Sequence, residues 1–175
     1  MRTKNGRIRR VYAAACAVPL LVLGGAATAI AVPAAATATS ASVTSSVRQS
    51  TPDEILALVN AERAKVNCEP LTVDPRLAAA AQAHADDMAA NGLTAHTGSD
   101  GSSALSRMEK AGYSPAGPSS ENVSGPGYDS SKAHVDGWMK STGGHRETIL
   151  NCTFKQTGIG TNGQYAVELF AVQSR

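Results

Sequence analysis

The chain has 175 residues, with 16 Lys+Arg against 14 Asp+Glu and a formal charge of +2. Five of the basic residues (Arg2, Lys4, Arg7, Arg9 and Arg10) stand in the first ten positions, and subtracting those five from +2 leaves −3 for the remainder. A mildly acidic remainder lacks the electrostatic footprint of a nucleic-acid binder and the basic amphipathic helix of a membrane-surface protein.

The N-terminus reads as a signal peptide over residues 1–36. Its basic start is followed by Val11 to Val32 without a charge, and then by Ala34-Ala35-Ala36 and Ala36-Thr37-Ala38, both A-x-A cleavage sites. The alternative is an uncleaved anchor, since the uncharged stretch is long enough to span a bilayer. Pro19, Gly24-Gly25 and the A-x-A sites weigh against it. The expected protein is therefore secreted, monomeric and without stable membrane insertion after cleavage. Residues 37–51 are rich in Ser, Thr and Ala and read as a linker. The rest, residues 52–173, is one domain's worth of chain.

Thr51-Pro52-Asp53-Glu54 predicts a helix start, with Thr51 as N-cap, Pro52 in the first turn and Glu54 closing a capping box. Ile55, Leu58, Val59 and Val66 mark its apolar face, and Pro70 ends the unit. Asp74-Pro75 starts a second helix, with Leu77, Ala81, His84 and Met88 on one face and Gly92 as its stop. A short helix is expected from Ser103 to Ala111, with Leu105 and Met108 inward. Tyr113 to Ser120 carries Pro115, Gly117 and Pro118 and reads as a loop. Asp129 is expected to cap a further helix with Val135, Trp138 and Met139 apolar, ending by Gly143-Gly144.

The period then changes. Gln156 to Thr161 and Gln164 to Val172 flank Asn162-Gly163, the strongest short hairpin signal. Tyr165 to Phe170 is apolar on both faces apart from Glu168, as a strand covered on both sides would be. Helices before a hairpin give an α/β/α layered domain.

Cys16 falls inside the signal peptide, which leaves Cys68 and Cys152. An even pair in an exported protein reads as a disulfide, with two buried free thiols as the alternative. The chain contains no H-E-x-x-H, G-x-S-x-G, P-loop or G-x-G-x-x-G pattern. Of four histidines, His84 lies on the inward face of its helix, as a packed core residue would. His134, beside Lys132 and Asp136, is expected on a solvated face. His96 and His145 each follow a helix, on loops suited to face a cleft. Standing 49 positions apart, they form no motif by themselves.

A set of ordered segments gives these residues a context. Leu58-Val59-Asn60-Ala61-Glu62-Arg63, Ala95-His96-Thr97, Glu121-Asn122-Val123, and Trp138-Met139-Lys140-Ser141 with Gly144-His145-Arg146 and Ile149-Leu150-Asn151 resemble, in order and spacing, the motifs of the CAP superfamily. That superfamily comprises cysteine-rich secretory, antigen 5 and pathogenesis-related 1 proteins; the likeness is to its bacterial SCP-like extracellular branch and covers about Pro52 to Ala171. It implies an α+β fold, a three-layer α-β-α sandwich of the CAP/SCP type with a C-terminal β-hairpin. It also implies a cleft with two histidines and two acids that binds a divalent metal in some members. By position, His96, His145 and Glu121 match three of these four, and Ser141 stands where the second acid is expected.

Two imidazoles are fewer than the three protein ligands usual for catalytic zinc. Glu121 is then either a third ligand for zinc or another divalent cation, or a carboxylate that orients one imidazole. The resemblance implies a secreted binding module for a small ligand, lipid or cell-wall component. The alternatives are a metal-assisted hydrolase or peptidase using His96, His145 and Glu121, and a structural or host-interaction protein with an inert cleft. Ser141, His145 and Glu121 also have the residue types of a hydrolytic triad.

Overall fold

A computed structural model describes residues 49–172. The expected signal peptide and the linker up to residue 48 lie outside the described residues. Helix α1 (Pro52–Ala64) is followed by β1 (Thr72–Val73), α2 (Pro75–Asn91), α3 (Ala104–Lys110), β2 (Ser119–Ser124), α4 (Ser131–Lys140), α5 (His145–Ile149), β3 (Gln156–Asn162) and β4 (Tyr165–Ala171).

The helix starts follow their caps. Thr51 Oγ1 accepts from the Glu54 N–H, Asp74 from that of Arg76, and Ser103 shares a capping box with Ser106. Gly92 closes α2 in the left-handed region at φ 63°. Two caps differ from expectation. Ser130 rather than Asp129 caps α4. Ser131 of α4 takes part in the α1 cap: its hydroxyl accepts from the Thr51 N–H (3.0 Å) and donates to Glu54 Oε2 (2.9 Å). The first turns of two helices are thereby tied together.

The four strands run in the order β1-β3-β4-β2. β3 and β4 form the expected antiparallel hairpin, β2 pairs antiparallel with β4, and β1 pairs parallel with β3. Alternation along β4 splits the core in two. Val167, Leu169 and Ala171 face α2, packing with Leu77, Ala81, Met88 and Met108. Ala166 and Phe170 face the opposite way, with Ile55 and Val59 of α1, Trp138 of α4 and Ile149 of α5. The three-layer sandwich is thus established, with β4 covered on both faces as its apolar run predicts.

β3 lacks side chains where α2 crosses it. A Cβ on Gly158 would lie 2.0 Å from the Leu77 carbonyl carbon, and one on Gly160 would lie 2.3 Å from the Gln82 nitrogen. The helix backbone rests directly on the strand, an approach that only glycine permits.

Cys68 and Cys152 form a disulfide across a sequence separation of 84, with Cα atoms 5.0 Å apart. A loop of that length is worth roughly 4.5 kcal/mol in the chain-entropy account. Arg63, fully buried at the end of α1, works beside it. Its guanidinium donates to the carbonyls of Glu69, Ile149, Asn151 and Phe154 at 2.8–3.1 Å.

Several expectations fail for identifiable reasons. Val66 does not extend the α1 stripe, because the helix ends at Ala64 and Asn67 turns left-handed at φ 59°; Val66 is exposed and Arg63 is buried instead. Leu105 is exposed, because the inward stripe of α3 runs through Ala104, Arg107, Met108 and Ala111. His134 is fully buried rather than solvated: it shares a stripe with Ser131, Val135 and Trp138. The expected loop from Tyr113 to Ser120 ends in strand, since Ser119 and Ser120 begin β2. His145 is not on a loop but opens the short helix α5.

Candidate functional site

The site lies on the outer edge of β2, the last strand of the sheet. Side chains of β2 alternate between the two layers. Glu121 points to the α3 side, where Arg107 stands, and Asn122 to the α5 side, where His145 begins. His96, on the α2–α3 connection, and His145, on α5, reach the same edge from opposite layers. Their ring centroids are 6.5 Å apart. Together with Glu121, Asn122, Gly144 and Thr148 they line a cleft of about 480 Å³.

Each imidazole is held through one nitrogen. His96 Nδ1 meets Glu121 Oε1 at 2.9 Å. A carboxylate accepts, so Nδ1 carries a proton, and Nε2 has no partner among the described residues. His145 Nδ1 lies 3.1 Å from Ser141 Oγ, which also accepts from the Gly143 N–H. Burial and the neighbouring His96 hold the His145 imidazole below its ordinary pKa, with Glu147 opposing, so the ring is neutral at pH 7. Asn122 fixes the start of α5 by donating to the His145 carbonyl at 3.1 Å.

Glu121 is the centre of this arrangement, and both its oxygens are engaged. Oε1 holds His96, and Oε2 accepts from Arg107 Nη2 at 2.6 Å. The Arg107 and Glu121 side chains are 8% and 3% exposed, so the pair is buried, whereas His96 is 58% exposed. Arg107 also donates to the His96 carbonyl (3.1 Å) and the Ser102 carbonyl (2.9 Å). A buried guanidinium thus fixes a buried carboxylate, which in turn fixes an exposed imidazole.

His96, Glu121 and His145 therefore converge, and Ser141 joins through His145. Glu121 bonds to His96 rather than to His145, so Ser141, His145 and Glu121 do not line up as a proton relay. Among the described residues, no group of three or more His, Cys, Asp or Glu side chains is arranged to hold a metal ion. The donor set open to a cation is two imidazole nitrogens. That suits a loosely held ion and falls short of the three protein ligands of a catalytic zinc.

Arg107 is the residue that sequence reasoning missed. Its signal was present: at i+3 from Ala104 and i−4 from Ala111, it is a charge on an otherwise apolar stripe.

Residues 56–173 match the sequence profile of the family described as CAP, the cysteine-rich secretory protein family. The chain belongs to the CAP family. The uncharacterized protein YkwD of Bacillus subtilis (strain 168) is 35% identical to this CAP protein over 109 residues, covering 61% of the chain and 40% of YkwD. An extracellular protein containing a SCP domain from Bacillus anthracis superposes with a TM-score of 0.66 at 24% identity, over 70% of this chain and 40% of the other. An outer surface protein of Borrelia burgdorferi gives 0.62 at 22% identity, over 70% and 92%. These structural likenesses bear on the fold. The chain spans about two fifths of the length of YkwD and of the Bacillus anthracis protein.

Proposed function

We propose that this CAP protein is an exported binding module whose cleft engages a small polar ligand group, on a lipid, cell-wall component or other small molecule, through His96 and His145. One observation carries the reading: both histidines are anchored through Nδ1, by Glu121 and Ser141, while no partner among the described residues occupies either Nε2. Two ring edges are thus offered to one ligand group across a gap of 6.5 Å between ring centroids.

Zinc or another divalent cation fits the same two nitrogens as a weakly held guest, and protonation of either ring would release it. When bound, such an ion supplies Lewis acidity toward an oxygen ligand. Hydrolysis is less well supported. The Ser141–His145 contact provides a hydroxyl beside an imidazole, but the nearby carboxylate is occupied by His96 and Arg107.

Export is supported by the basic, apolar and small-residue order of the N-terminus and by structural neighbours described as extracellular or outer-surface proteins. No helix among the described residues is long and apolar enough to cross a membrane.

The test is a calorimetric zinc titration of wild type and a His96→Ala/His145→Ala variant, beside a panel of peptide and ester substrates. Saturable heat in the wild type, lost in the variant, with no turnover by either, is the expected result. Equal heats in both remove the two-imidazole site. Turnover abolished by the same substitutions would establish the hydrolase instead. Neither heat nor turnover would leave an inert cleft.

A further inference from the structure

β2 is the last strand of the sheet, and one of its edges has no strand beside it. The register fixes which main-chain groups that edge presents. The Val172 N–H donates to the Pro118 carbonyl at 3.4 Å. In an antiparallel ladder the bonded pairs then recur at every second residue, at Ser120–Phe170, Asn122–Glu168 and Ser124–Ala166. The N–H and C=O of Ser119, Glu121 and Val123 therefore point away from β4.

One end of that edge is closed by the chain itself. Trp138 Nε1 donates to the Val123 carbonyl at 3.1 Å, in keeping with its outward direction. Just beyond, Thr94 packs so closely on Gly125 that a Cβ there would collide with its hydroxyl. Ser119 and Glu121 have no such cover: no hydrogen bond among the described residues uses their outward N–H or C=O. Glu121 is 8% exposed as a residue, but its side chain only 3%, so the surface it shows in the His96–His145 cleft is main chain.

An unpaired strand edge is a template for another extended chain, and the cleft selects among such chains. The edge lies between His96 and Ala104 on one wall and Gly143, Gly144 and Thr148 on the other. A second copy, whose own β2 edge lies between the same walls, cannot reach it, whereas a lone extended segment can. Ala104, Gly143 and Gly144 leave room for small side chains, and a Cβ on Gly144 would meet nothing within 4 Å. In antiparallel pairing, one peptide residue opposite Glu121 exchanges two hydrogen bonds with it, and the residue two further along does the same with Ser119. Building on the cleft as a binding site, we propose that its ligand is an extended peptide of small residues, which adds a strand to the free edge of β2 at Ser119 and Glu121.

The experiment is an NMR titration of the isotopically labelled chain with acetyl-trialanine-methylamide and with its fully N-methylated form. In the free protein, the Glu121 amide is expected to exchange with solvent at least ten-fold faster than the Asn122 amide, which is bonded to β4. The unmethylated peptide should shift the Ser119 and Glu121 amides saturably and slow Glu121 exchange at least three-fold. The N-methylated peptide, which has no N–H to donate, should bind at least five-fold more weakly. Ser119→Pro removes one outward donor and leaves the β2–β4 bonds in place. It should weaken the unmethylated peptide at least five-fold with the His96 ring-proton signals unmoved; if that variant does not fold, the comparison of the two peptides decides. The proposal is overturned by a Glu121 amide as protected as Asn122 in the free protein, by the absence of saturable shifts, by equal binding of the two peptides, or by unchanged affinity in folded Ser119→Pro. Protection that grows with protein concentration alone also overturns it, with a second copy as the occupant. Peptide binding without zinc heat keeps the peptide edge and removes the cation site; zinc heat without peptide binding does the reverse.

Discussion

Asn122 on β2 and Glu168 on β4 stand directly opposite one another, both fully buried, and each keeps one side-chain oxygen without a partner among the described residues. Asn122 commits its amide to the His145 carbonyl, which leaves Oδ1, an acceptor. Glu168 Oε1 takes the Thr157 hydroxyl at 3.1 Å, which leaves Oε2. A proton on Glu168 turns its unpartnered acceptor into a donor.

The first prediction follows from that proton. Burial pushes the Glu168 carboxyl up to about 8, against the pull of the Thr157 hydrogen bond and Arg63. The unfolded chain releases the proton near pH 4.5. Between those values the folded state holds the extra proton, so the Glu168 contribution is complete below pH 4.5 and is lost as pH rises through 8. Glu168→Gln mimics the protonated form. Its stability relative to wild type should therefore increase by about 4 kcal/mol between pH 4.5 and pH 8, measured by urea unfolding across that range. A constant difference would show that Glu168 is ionised in the folded state.

His134 should act on the acid side. It is fully buried, its Nδ1 lies 2.6 Å from Ser124 Oγ, and burial pushes it down to about 4, with Asp129 opposing. Here the unfolded chain takes up the proton first, near pH 6.5. The contribution is complete above pH 6.5 and is lost as pH falls to 4, by about 3 kcal/mol. His134→Gln should remove that slope from the unfolding profile. An unchanged acid limb would assign the loss to other groups.

The Arg107–Glu121 pair should show strong coupling. Removing one partner leaves the other charge buried and unpaired, so Arg107→Met and Glu121→Gln should each cost roughly 3–5 kcal/mol. The double variant should cost less than the sum by at least about 1 kcal/mol, read from a denaturation double-mutant cycle. Additive losses would mean that the two side chains act separately. In Glu121→Ala, which removes the hydrogen-bond partner of Nδ1 altogether, the His96 ring should lose its fixed orientation, seen as averaged ring-proton contacts.

Most of the layers were legible because local chemistry fixes them. Caps at Thr51, Asp74 and Ser103, the stop at Gly92 and the Asn162-Gly163 turn depend on residues within a few positions. What failed was the assignment of polar residues to faces. Arg63, Arg107 and His134 are buried because partners on other elements of the fold satisfy them. The local pattern carries a signal for Arg107, a charge on an apolar stripe, but it does not name the partner that satisfies it.

The candidate site divides the same way. Sequence by itself set the residue types, the order of the segments and the family to which they belong. His96, Glu121 and His145 could be picked out from the motif order alone. Tertiary structure alone decided that Glu121 serves His96 and Arg107 rather than His145, because β2 is an edge strand and its alternation sends Glu121 toward α3 and Asn122 toward α5. A carboxylate has only two oxygens, and the fold decides which neighbours occupy them.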